Sequence, residues 1–225
     1  MNRVPVEWIC DYDEEPTEEM LTKTRFKGKM LYTAGTVLSG ILFAGIFIFF
    51  GVSVYTLVYM LMTFVMIMTV LSDGKYCIIP DQFAVILAVL SLCVAYYDYF
   101  GRRYIIKQWW SPLAAGLGIG ILIIAVNFLT MLIAKKEGMG FGDVKLFAAL
   151  GFAVGIPDIV MALFISVISA FLIIVFTVVI NAVRKKETEN YIPFGPSICI
   201  GVFSALVLHQ PLMYLVGLYL SLLER

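Results

Sequence analysis

The 225-residue chain is 61% hydrophobic and only 14% charged, with a mean hydropathy of +0.96 and no net charge at pH 7. Charged residues alone make up about a quarter of an ordinary soluble domain, so this composition excludes a soluble globular protein, and a nucleic-acid partner is not expected. It describes a polytopic membrane protein, an all-α transmembrane helical bundle whose partner over most of its surface is the lipid bilayer.

Residues 1–29 form a polar tail. Asp11, Asp13, Glu14, Glu15, Glu18 and Glu19 are followed by Lys23, Arg25, Lys27 and Lys29, a pattern that predicts a solvated acidic segment ending in a basic membrane-surface anchor. No short apolar region leads to a small-residue cleavage site, so a secretory signal peptide is not expected. Residues 30–225 form the membrane domain.

A helix needs about 20 predominantly apolar residues to cross the hydrocarbon core, and seven segments meet or approach that length. They fall at about 30–50, 52–72, 82–100, 112–134, 144–157, 159–182 and 196–222. The fifth is short and the seventh is expected to be broken by His209-Gln-Pro211, so the count is about seven, bounded by six and eight. With the N-terminus inside, twelve of the sixteen Lys and Arg residues fall on the inner surface and four, Arg102, Arg103, Lys107 and Arg225, on the outer. This predicts an N-terminus in the cytoplasm of a plasma (inner) membrane protein.

Two acids stand at the edges of apolar runs on that inner side. Asp73 lies in Leu71-Ser-Asp-Gly-Lys-Tyr-Cys-Ile-Ile-Pro80, and Asp143 in Glu137-Gly-Met-Gly-Phe-Gly-Asp-Val-Lys145. A carboxylate bordering hydrocarbon is costly and marks a candidate functional site. Each has a plainer reading: Asp143 as the cap of the fifth helix, and Asp73 as a solvated acid beside Gly74, which would cap the second helix. Together they suit aspartic-protease chemistry, in which neighbouring carboxyl groups share one proton, activate a water and stabilise the oxyanion. That chemistry requires neither a metal nor an organic cofactor.

The chain resembles the type IV prepilin leader peptidases, GxGD-type membrane aspartyl proteases related to the archaeal preflagellin peptidases. The resemblance rests on Asp73 with Ile79-Pro80 seven residues on, on Glu137-Gly-Met-Gly-Phe-Gly-Asp-Val-Lys-Leu146 running into Ala148-Ala-Leu-Gly151, and on Ile192-Pro-Phe-Gly-Pro196. It covers about residues 50–210. It implies Asp73 and Asp143 as the catalytic pair, prepilin or pseudopilin N-terminal segments as partners in pilus assembly or protein secretion, and removal of a short basic leader after a glycine at the cytoplasmic face. Many bacterial members carry an N-terminal insertion with paired C-x-x-C motifs that accompanies N-methylation. Residues 1–29 hold only Cys10, so a methyltransferase half is not expected.

Supporting roles attach to Gly140 and Gly142, which let the backbone turn and approach a peptide, to Lys75 and Lys145 two positions after the acids, and to Glu137, which is placed to meet a basic leader. Pro193 and Gly195 read first as a rigid turn, and second as backbone lining the cleft. Asp81 and Asp158 read as helix caps, Asp98 as part of a tyrosine-rich outer interface, and Asn127 and Asn181 as interhelical hydrogen-bonders. Gly116, Gly118 and Gly120 suggest close helix approach. The cysteines are too dispersed for a zinc or redox motif; Cys93 and Cys199 are expected to be buried packing. His209 has no second histidine, so no metal site is expected. A proton-coupled transporter using the same acids, a noncatalytic membrane assembly partner and a presenilin-like protease are the rival readings.

Overall fold

The structure, a computed structural model, describes residues 29–101, 106–135, 139–156, 158–184 and 193–223. The acidic tail, Cys10 and Glu137 lie outside these residues. Seven helices follow one another: α1 (Lys29–Phe50), α2 (Val54–Tyr76), α3 (Asp81–Phe100), α4 (Ser111–Ala134), α5 (Phe141–Val154), α6 (Asp158–Arg184) and α7 (Gly195–Leu223), with no strand among the described residues. Four of them, α2, α3, α4 and α6, are long and apolar enough to cross a membrane, and shorter apolar helices cover Gly35–Phe50 and Gly195–His209.

Local chemistry sets the boundaries. Ser53 caps α2 by accepting the Thr56 N–H. Pro80 precedes α3, where its missing N–H costs nothing because the first helical donors have no partner inside the helix. Two boundaries differ from expectation. Helix α2 runs through Gly74 and ends at Cys77, which takes the left-handed conformation at φ 55° and donates its N–H to the Asp73 carbonyl. His209-Gln-Pro211 does not break α7, which continues to Leu223; a proline is tolerated in a membrane helix when the freed carbonyl finds other partners.

The short α5 is the centre of the bundle. Its 14 residues rise only about 21 Å, and it packs against α3, α4 and α7. Leu146, Phe147 and Leu150 are fully buried. Close approach of α4 explains much of this. A Cβ on Gly116 would lie 2.3 Å from the Phe152 ring, and one on Gly151 would lie 3.0 Å from Gly116 Cα. Gly120 faces Ala148 one turn along, whereas Gly118 faces open space. Two of the three glycines singled out in α4 therefore serve packing. Because lipid is as apolar as a leucine side chain, such small-residue contacts bring membrane helices together where hydrophobic burial does not. The outward faces of α4 and α6 carry exposed Leu117, Ile121, Phe128, Phe164, Phe171 and Phe176, as a lipid-facing perimeter requires.

At the end opposite the acids, three polar ties close the bundle. Asp98 is buried, contrary to its expected place in an outer interface, and accepts from Tyr55 Oη at 2.9 Å and the Ile106 N–H at 2.6 Å. Ser111 Oγ accepts the Ile156 N–H at 2.8 Å. Asp158, expected as a simple cap, is also buried, with Oδ2 2.7 Å from Nδ1 of His209. Each joins segments far apart in sequence.

Candidate active site

Asp73 lies in the last turn of α2 and is 2% exposed. Its environment comes from the other end of the chain. The first residue of α7, Gly195, donates its N–H to Asp73 Oδ2 at 2.8 Å. This is one of the free donors at a helix N-terminus, where the macrodipole also favours a negative group. The mismatch between an acid and the C-terminal end of α2 is thus offset by the N-terminal end of α7. A Cβ on Gly195 would sit 2.6 Å from that carboxylate oxygen, so only glycine lets the backbone come this close.

Asp143 lies in the first turn of α5 and is 4% exposed. The N-cap position is held by Gly140, with no side-chain cap, so Asp143 is not the cap that its sequence position also allowed. Its Oδ1 is buried without a hydrogen-bond partner, which is costly unless the group has a task outside the fold. Both carboxyl groups line one cavity of about 750 Å³, together with Ile79, Gly140, Gly142 and Phe194. Gly142 packs against Ile79, where an added Cβ would lie 3.2 Å from Ile79 Cβ, so the Ile79-Pro80 element supports the glycine turn. A transporter binds its substrate and coupling ion near mid-span between discontinuous helices; these acids stand at helix ends.

Residues 59–178 match the type IV leader peptidase family. The chain belongs to that family. It is 27% identical over 173 residues to the prepilin leader peptidase/N-methyltransferase of Bacillus subtilis (strain 168), covering 76% of this chain and 63% of the relative. Against the protein of the same name from Pseudomonas putida it is 32% identical over 162 residues, 70% of this chain and 52% of the relative. The Pseudomonas aeruginosa counterpart is 28% identical over 149 residues, 66% of this chain and 48% of the relative. The chain therefore spans about half to just under two thirds of the length of these relatives. No solved structure matches it significantly.

The remaining predicted residues of this leader peptidase family member divide into those that reach the cavity and those that do not. Lys145 reaches it, and its Nζ binds both carboxylate oxygens of Asp81 at 2.8 and 2.9 Å while lying 4.8 Å from the Phe141 ring centroid. Asp81, expected as a cap, instead ties α3 to α5. Lys75 stands 5.0 Å over the Tyr76 ring and is not among the cavity-lining residues. Gly195 donates its backbone N–H to Asp73 but does not itself line the cavity, and Pro193 is half-buried and does not line it either.

Three contributors were missed in the sequence. Asp81 forms the third carboxylate of the cavity wall, and Cys77 lines it from the left-handed end of α2. Asn127 lines it too, and holds the Met139 backbone in the loop before Gly140. Cys199, expected to be buried, is buried; Cys93, expected to be buried as well, is exposed, because its face of α3 turns away from the bundle.

Proposed function

We propose that the chain is a membrane aspartyl endopeptidase that removes the basic leader from type IV prepilins or pseudopilins at the cytoplasmic membrane face. What carries this reading is the convergence of Asp73 and Asp143, 70 positions apart in sequence, on one cavity at the ends of two helices. In this proposal one ionised carboxyl takes a proton from water as the water attacks the scissile carbonyl, and the protonated partner donates to the developing oxyanion. The proton then passes to the leaving amine, and the pair returns to its starting state. Gly195 holds Asp73 in a single orientation, and the family membership supports leader peptides as the substrate class. The proposal is confined to the peptidase half of the relatives' double name.

The test is co-expression of the intact chain with individual prepilins and pseudopilins, reading the new N-terminus by mass. Cleavage directly after the leader glycine is expected. Precursors that stay intact beside a folded, membrane-inserted chain would overturn the assignment.

Lys145 and Asp81 are assigned a supporting role, fixing the first turn of α5 against that of α3. Their side chains are 35% and 31% exposed, so the pair contributes only about 1 kcal/mol or less to stability. Asp81→Lys and Lys145→Asp each place like charges in contact. Each single change is expected to lower cleavage by roughly tenfold, since contacting pairs couple by about 0.5–3 kcal/mol, and the double exchange to recover most of that loss. Failure of the double variant to exceed either single one, with equal membrane levels, would show that the two residues act separately.

A further inference from the structure

The turn that delivers Asp143 contains two glycines, Gly140 and Gly142, and glycine loses more conformational freedom on ordering than any other residue. Such a turn needs restraint from outside itself. Ile79 packs against Gly142 on one side, and the Lys145 to Asp81 pair holds the chain just after the acid. Before the acid the restraint is Asn127, two helical turns from the end of α4. Its Nδ2 donates to the Met139 carbonyl at 3.0 Å, and its Oδ1 accepts the Met139 N–H at 3.2 Å.

Both ends of one carboxamide are thus engaged by the backbone of one residue, the residue directly before the N-cap of α5. A carboxamide carries a donor and an acceptor side by side, and so can grip a peptide unit that no helix or sheet supports. An asparagine within a span ordinarily bonds a neighbouring helix. This one bonds a loop at the cavity wall.

We propose that Asn127 is a positioning residue for Asp143, holding Met139 so that the glycine turn presents the acid to the cavity in one geometry. The activity side of this inference rests on the peptidase reading; the structural side does not.

The test uses the full chain in lipid vesicles, with Asn127→Leu and Asn127→Asp, and a synthetic prepilin-type leader peptide that retains its apolar stem. Turnover is measured alongside amide hydrogen exchange over residues 139–143. Asn127→Leu removes both bonds. Exchange over that segment is expected to rise at least about tenfold, because opening of the turn no longer breaks them. Loss of alignment at a reacting group is expected to lower kcat roughly ten- to hundredfold, with KM within about twofold. Asn127→Asp keeps the acceptor for the Met139 N–H and loses the donor, so it falls between, and it serves if the leucine variant does not insert.

Parental kcat in both variants would overturn the proposal, as would a loss of kcat with unchanged exchange over 139–143. A rise in KM alone would make Asn127 a substrate contact instead and also overturns it. If the parent chain cleaves nothing, the peptidase reading fails, and the exchange data still decide whether Asn127 orders the turn.

Discussion

With Asp73 and Asp143 as the proposed pair, Asp73→Asn and Asp143→Asn are each expected to abolish leader cleavage, lowering kcat by about 10⁴-fold, while the chain still folds and inserts. The size follows from the role: an amide has the shape of a carboxyl group but cannot take the proton from water or return it, and proton transfer by a positioned side chain contributes about 10²–10⁴-fold. Losing either member disables both, since neither alone can serve as acid and base in the same step. Folding is spared for a physical reason. Both acids are buried, and Asp143 Oδ1 has no partner to lose, so a neutral amide costs the fold little. The measurement is single-turnover cleavage in vesicles, with thermal unfolding of the same samples. Retained turnover in either variant would remove the dyad.

Gly195→Ala is expected to be nearly as damaging, lowering kcat by about 10²-fold, the loss that a displacement near 1 Å at a reacting group can produce. The added methyl would sit 2.6 Å from Asp73 Oδ2 and 3.1 Å from its Cγ, nearer than real contacts allow. Either the carboxyl group turns away or the start of α7 retreats, and the 2.8 Å N–H bond is lost in both cases. Gly74 provides the comparison. It is adjacent to Asp73 in the chain, yet a Cβ there meets nothing within 4 Å, so Gly74→Ala is expected to keep parental activity and to stabilise the last turn of α2 by roughly 0.5–1 kcal/mol. Equal losses in the two alanine variants, measured at matched membrane levels, would show that proximity in sequence and not the contact with α7 governs Asp73.

Those two glycines illustrate how the site divides between chain and fold. In sequence, Gly74 is the glycine beside the acid, expected as a helix cap; in space it is helical and its Cβ position is open, and the glycine that contacts the acid lies 122 positions after Asp73. Lys145 was legible as a basic neighbour of Asp143, but its partner was not, because a lysine side chain reaches whatever the adjoining helix presents. Asp98 and His209 were read from their flanking residues as an outer interface acid and a lone histidine. Asp98 is instead hydrogen-bonded across the bundle, and His209 Nδ1 lies 2.7 Å from Asp158 Oδ2, since a buried polar group must find a partner wherever packing places one.

The chain by itself determined the membrane class, the seven apolar runs and their order, the placement of Asp73 and Asp143 at span ends, and the glycine turn between α4 and α5. All of these depend on hydropathy, on residue types at fixed local spacing, and on backbone preferences that act over a few residues. Only the tertiary structure decided that the start of α7 binds Asp73, that Asp81 faces Lys145, that Asn127 grips Met139, and that α5 is the buried centre and not one more lipid-facing span. Helix crossings set these pairings, and a crossing depends on which small residues allow two backbones to meet, a property of two surfaces together that neither segment carries alone.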